Sequence, residues 1–168
     1  MILRQRAPSI GILLVLTLIL PPPLSAQNAP SEGLAKLSQA AVIVERLGKE
    51  EKGLGLAEQE LRSQLIALLQ KNLPKLRVIE IASDKIYLKT ELHIIETSKG
   101  QKTGLFGHLS LEVDRTATIS ATGVPVLATV WSQGISFLGP PESAFDQVRK
   151  HLDFLITILA KDWPQANP

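Results

Sequence analysis

Polar and apolar residues alternate along three successive runs, Ile86–Thr97, Leu105–Ile119 and Val126–Leu138, joined by the short polar links Ser98–Gly104 and Ser120–Pro125. In the first run Ile86, Leu88, Thr90, Leu92 and Ile94 fall on one face, and Tyr87, Lys89, Glu91, His93 and Ile95 on the other. The second run sets Gly107, Leu109, Leu111 and Val113 against His108, Ser110, Glu112 and Asp114. A period of two with one apolar face is the signature of an antiparallel sheet covered on one side only. The third run is ambiguous. Large residues Leu127, Trp131, Ile135 and Phe137 share one side, and small residues Ala128, Ser132, Gly134 and Ser136 share the other. Either side could face the core.

Two stretches have helical spacing instead. Leu61, Leu65, Leu68, Leu69 and Leu73 line one face of a helix over Ala57–Asn72, with Glu58 and Glu60 in its first turn and Pro74 stopping it. Phe145, Val148, Leu152, Leu155 and Leu159 form a second stripe, with Trp163 beyond it, Ser143 as its N-cap and Pro164 closing it. Ala40–Leu47 reads as a first strand and Leu76–Ile81 as a short one. Between glycines, Gly48–Gly55 carries Lys49, Glu50, Glu51 and Lys52 and reads as a solvated loop. The expectation is an α+β fold in the order β-α-β-β-β-β-α: a mostly antiparallel sheet of about five strands with two helices packed on one face.

The start of the chain has the pattern of an export signal. Arg4 and Arg6 precede the apolar run Ile10–Leu20, and Leu24-Ser25-Ala26 ends in a small residue. That run has eleven residues and then meets Pro21-Pro22-Pro23, too short for a spanning helix, which needs about 20. The expected division is a signal peptide over 1–26, a flexible leader over 27–39 and one domain over 40–168, periplasmic or secreted, with no stable membrane span after cleavage. Losing Arg4 and Arg6 would reduce the 18 basic residues to 16, against 16 acidic ones. A neutral chain has no electrostatic reason to bind nucleic acid. With no cysteine, disulfides, thiol catalysis and cysteine-ligated metals are excluded.

Candidate chemistry is sparse. A turn centred between Gly100 and Gln101 would make His93 and His108 cross-strand neighbours about 5 Å apart, with Glu91 nearby. Two imidazoles and a carboxylate could then serve a small hydrolase or a metal-dependent enzyme, although zinc asks for three or four ligands. Gly134-Ile135-Ser136-Phe137-Leu138 begins like a nucleophile elbow but lacks the closing glycine and lies inside a strand. The glycines at 53 and 55 match no phosphate-binding loop. No catalytic residue, metal ligand or cofactor is assigned from these signals. The favoured reading is a non-catalytic exported binding or accessory module. Its uncovered sheet face or edge would carry Tyr87, Glu91, His93, His108 and Trp131 toward a protein partner or a second copy.

This order of elements, with Gly55-Leu56-Ala57-Glu58, Thr129-Val130-Trp131, Asp162-Trp163-Pro164 and Asn167-Pro168, resembles a family of small uncharacterised exported bacterial proteins over about residues 40–168. The resemblance implies the same layout and carries no activity. At Ala57 it leads one to expect a capping threonine.

Overall fold

The parallel and antiparallel parts of the sheet follow from how far apart in sequence its strands lie. In the computed structural model, which describes residues 32–167, the strands are β1 (Gln39–Val44), β2 (Arg77–Val78), β3 (Lys85–Glu96), β4 (Lys102–Thr118) and β5 (Pro125–Gly139). They form one sheet in the order β2-β1-β3-β4-β5. Short links make β3, β4 and β5 an antiparallel meander, whereas β1 runs parallel to both β2 and β3. Parallel neighbours need a long crossover, and helix α2 (Glu58–Asn72) lies within it. The expected α+β fold holds. The expected signal peptide over 1–26 lies outside the described residues.

Both long helices cover the same face. Leu61, Leu65 and Leu69 of α2, and Val148, Leu152, Leu155 and Leu159 of α3 (Ala144–Ala166), share one core with Ile86, Leu88, Leu109 and Leu111 of the sheet. Ser143 precedes α3, but its hydroxyl donates back to the Pro140 carbonyl at 2.9 Å and caps nothing. Pro164 does not end the helix. It lies in the final turn, where one backbone bond is lost, and Asn167 N–H still reaches the Trp163 carbonyl at 3.0 Å. At the entry to α2, Ala57 occupies the N-cap without a side-chain bond. The Leu47 N–H instead donates to Glu58 Oε1 at 3.0 Å, which holds that carboxyl below its usual range.

The charged Gly48–Gly55 segment is not a loop. Lys49–Gly53 forms a short helix, α1, and Glu51 is buried. The reason lies in the sheet. β1 ends at Val44, opposite Leu88, so the farther half of β3 has no strand on that side. There α1 takes the strand's place, and Glu51 Oε1 accepts the Leu92 N–H at 3.1 Å.

The ambiguity in β5 resolves through a bulge. Val113 pairs with Trp131 but Asp114 pairs with Thr129, so Val130 is the extra residue. On its C-terminal side the large residues point at the helices: Trp131 and Phe137 are buried and Ile135 is half-buried. The extra residue reverses the alternation, and Leu127 is exposed. Phe137 lies across Gly107, where an added Cβ would come within 2.3 Å of the ring.

The described part of the expected leader is built into the body. Leu34 and Leu37 are buried, and Arg115 Nη1 donates to the carbonyls of Gly33 and Ala35 at 3.1 and 2.7 Å. Asn167 grips the same segment from the other terminus. Its Nδ2 donates to the Leu34 carbonyl at 2.9 Å, and its Oδ1 accepts the Lys36 N–H at 2.7 Å. Gly33 is required here, since a Cβ would lie 2.5 Å from the carbonyl oxygen of Val130.

Candidate functional site

The face opposite the helices is an array of cross-strand rows. From one end these are His93–Phe106–Leu138, Glu91–His108–Ser136, Lys89–Ser110–Gly134 and Tyr87–Glu112–Ser132. Four of the five residues expected there, Tyr87, Glu91, His93 and His108, are on it. Trp131 is not. It is buried on the helix side opposite Val113, and its Nε1–H donates to Asp162 Oδ2 at 2.9 Å. The segments Thr129-Val130-Trp131 and Asp162-Trp163-Pro164 therefore meet in this contact. An indole N–H buried without that acceptor would cost about 1–3 kcal/mol.

His93 and His108 are not opposite one another. The turn closes between Thr97 and Gln101, with Gly100 at φ 75°, and the ladder shifts between Ile95 and Glu96. His93 therefore faces Phe106, with ring centroids 6.4 Å apart, while Glu91 faces His108. The two imidazoles stand in adjacent rows. His93 Nδ1 lies 3.6 Å from Glu50 Oε2 of α1, at an exposed and loosely held pair. Lys89 and Glu112 pair at 2.7 Å, and this bond raises the lysine's pKa.

His108 Nδ1 and Ser136 Oγ are 2.9 Å apart, the one hydroxyl–imidazole pair on this face among the described residues. Gly134 makes room for it: a Cβ there would sit 3.0 Å from His108 Cε1 and 3.1 Å from Nε2. The imidazole thus leans over β5, away from β3, and Glu91 forms no hydrogen bond with it. A nucleophile–base pair works when a third group orients the base and donors wait for the oxyanion. Neither is present in this row. No group of three histidines and carboxylates is close enough to hold a metal ion among the described residues. The grooves lie elsewhere, such as the open one of about 610 Å³ between α2 and α3 lined by Gln64, Leu68, Lys71 and Arg149.

The residues that sequence reasoning missed are apolar. Ile95, Phe106 and Leu138 are exposed at one end of the uncovered face, around His93. Their signal was available: each is an apolar residue at a position where the alternation calls for a polar one. No helix among the described residues is long and apolar enough to cross a membrane.

No family model and no curated protein matches the chain. Among solved structures it is similar to the PelC dodecamer of Paraburkholderia phytofirmans, at 15% identity and TM-score 0.41, over 71% of this chain and 86% of that one. It is also similar to a minor lipoprotein of Acinetobacter baumannii, at 12% identity and TM-score 0.31, over 76% of this chain and 87% of that one. A third is rare lipoprotein B of Shewanella oneidensis, at 14% identity and TM-score 0.27, over 76% of this chain and 92% of that one. Likenesses this distant carry neither residue roles nor function across.

Proposed function

We propose that the protein is a non-catalytic exported binding or accessory module whose uncovered sheet face is its contact surface. The observation that carries this reading is the apolar end of that face. Phe106 is 39% exposed on a central strand, with Ile95 at 45% and Leu138 at 71% beside it. Large apolar side chains in contiguous exposed positions cost solvation unless something covers them. An open sheet face suits a protein surface better than a small substrate, which needs a concave pocket. The signal-like start of the chain supports an envelope or extracellular setting.

The test is Phe106→Ser, which removes the aromatic without entering the core. Affinity recovery with cross-linking from an envelope extract should yield a partner with wild type and lose it with the variant, at an unchanged melting temperature. Recovery of the same species by both proteins would sink the reading. A second reading, a small hydrolase, is favoured by the His108–Ser136 bond alone. Cleavage of activated esters by wild type and not by Ser136→Ala would support it; no cleavage by wild type would retire it.

A further inference from the structure

Among the described residues, one strand edge stands without a guard. β2, at one border of the sheet, has two residues, with Lys75, Arg77 and Glu80 in or beside it. Short length and charge are common guards against unwanted pairing. The free half of β3 is closed by α1 and Glu51. β5, at the other border, is fifteen residues long and holds no charged side chain. Among the described residues no strand lies on its outer side. An edge of that length and neutrality is a pairing surface.

Helix α3 completes it. Gln147 lies beside Gly139, His151 stacks on Phe137 with centroids 4.7 Å apart, and Asp162 bonds Trp131. The helix therefore runs antiparallel along β5. Phe154 and Ile158 stand three and seven residues beyond His151 on the same stripe, between the two fixed ends. Phe154 is 51% exposed and Ile158 half-buried. The middle of the strand segment Trp131–Gly139 is Ile135, also half-buried.

We infer that the outer edge of β5 pairs antiparallel with β5 of a second copy of this chain, about a two-fold axis at Ile135. Residues 131–139 lie beyond the bulge, so nine residues form a regular ladder about 27 Å long. Ile135 then meets itself, Gln133 meets Phe137, Ser132 meets Leu138 and Gly134 meets Ser136. Self-pairing brings every charge against its own copy or its mirror position, and here there is none to repel. Phe154 and Ile158 of the two copies approach one another beside the same axis. The edge shares Leu138 with the Phe106 end, but the pairing argument uses none of the function proposed above.

Sedimentation equilibrium of the purified protein tests the inference. Wild type should show twice the mass of the chain at about 100 μM and dissociate on dilution. Phe154→Glu places carboxylates at the apolar contact and should raise the dissociation constant about 100-fold or more. Its circular dichroism and melting temperature, measured at low concentration where both proteins are monomeric, should match wild type, and Phe154→Leu should still dimerise. Amide exchange over residues 131–139 should slow with concentration in wild type and not in Phe154→Glu. A monomeric wild type, a mass other than twice the chain, or an assembly unaffected by Phe154→Glu overturns it. Phe106→Ser leaves this mass unchanged, so the two surfaces are tested separately.

Discussion

Replacing Glu51 by alanine removes the side-chain acceptor that meets the Leu92 N–H in the free half of β3. The Glu51 carboxylate is 8% exposed and accepts the Leu92 N–H at 3.1 Å, and Leu92 itself is buried. A hydrogen bond to a charged group contributes about 1.5–3 kcal/mol, and an unpaired buried donor costs about 1–3 kcal/mol. Water reaches the site poorly while α1 stays in place, so we expect Glu51→Ala to lose about 2 kcal/mol, roughly a 30-fold shift toward the unfolded state. Glu51→Gln keeps an acceptor without the charge and should lose about 1 kcal/mol. Urea unfolding measures both values, and amide exchange reads the Leu92 N–H directly. That amide should exchange faster in the alanine variant while the Glu45 amide, which donates to the Leu88 carbonyl at 2.8 Å in the half of β3 that β1 covers, stays protected. A loss below about 0.5 kcal/mol, with Leu92 exchange unchanged, would refute the role assigned to α1.

Gly107→Ala drives a methyl to within 2.3 Å of Phe137 Cζ and 2.8 Å of Leu92 Cδ2. Moving that ring off His151 should cost about 1–3 kcal/mol and lower the melting temperature by several degrees, with partial recovery when Phe137 is shortened to leucine. For His151, burial against the sheet lowers the pKa, and the neighbouring Lys150 charge adds to the effect. The unfolded chain therefore takes up a proton first as pH falls below about 6.5, and the neutral folded form loses its advantage. The stability of wild type relative to His151→Gln should shrink from about pH 7.5 to 5.5 in paired urea titrations, and a constant difference would contradict the burial of the ring.

The layout was legible wherever one element's own residues decided it. Leucine stripes on α2 and α3 and the alternation in β3 and β4 each identify a buried face without reference to a neighbour, and both helices pack on that face. Features set by a pairing were not legible. α1 has no apolar periodicity, and its reason to form is an N–H forty-one residues away. Which side of β5 faces the core, and with it the place of Trp131, stays open in the sequence, and no local signal marks Val130 as a bulge; only the pairing of Asp114 with Thr129 does. The same limit separated His93 from His108, since the turn centre depends on Gly100 and on the shift beyond Ile95. The apolar end of the open face was written in the sequence as breaks in alternation at Phe106 and Leu138, and these were the more informative residues.

Asn167, by holding Leu34 and Lys36, brings the two extremities of the folded body to a single corner. Arg115, which grips the same segment, stands nine residues along β4 from Phe106, about 30 Å. A tether joined at either extremity would thus suspend the body by that corner and present its greasy end outward, like the working tip of a tool held by its handle.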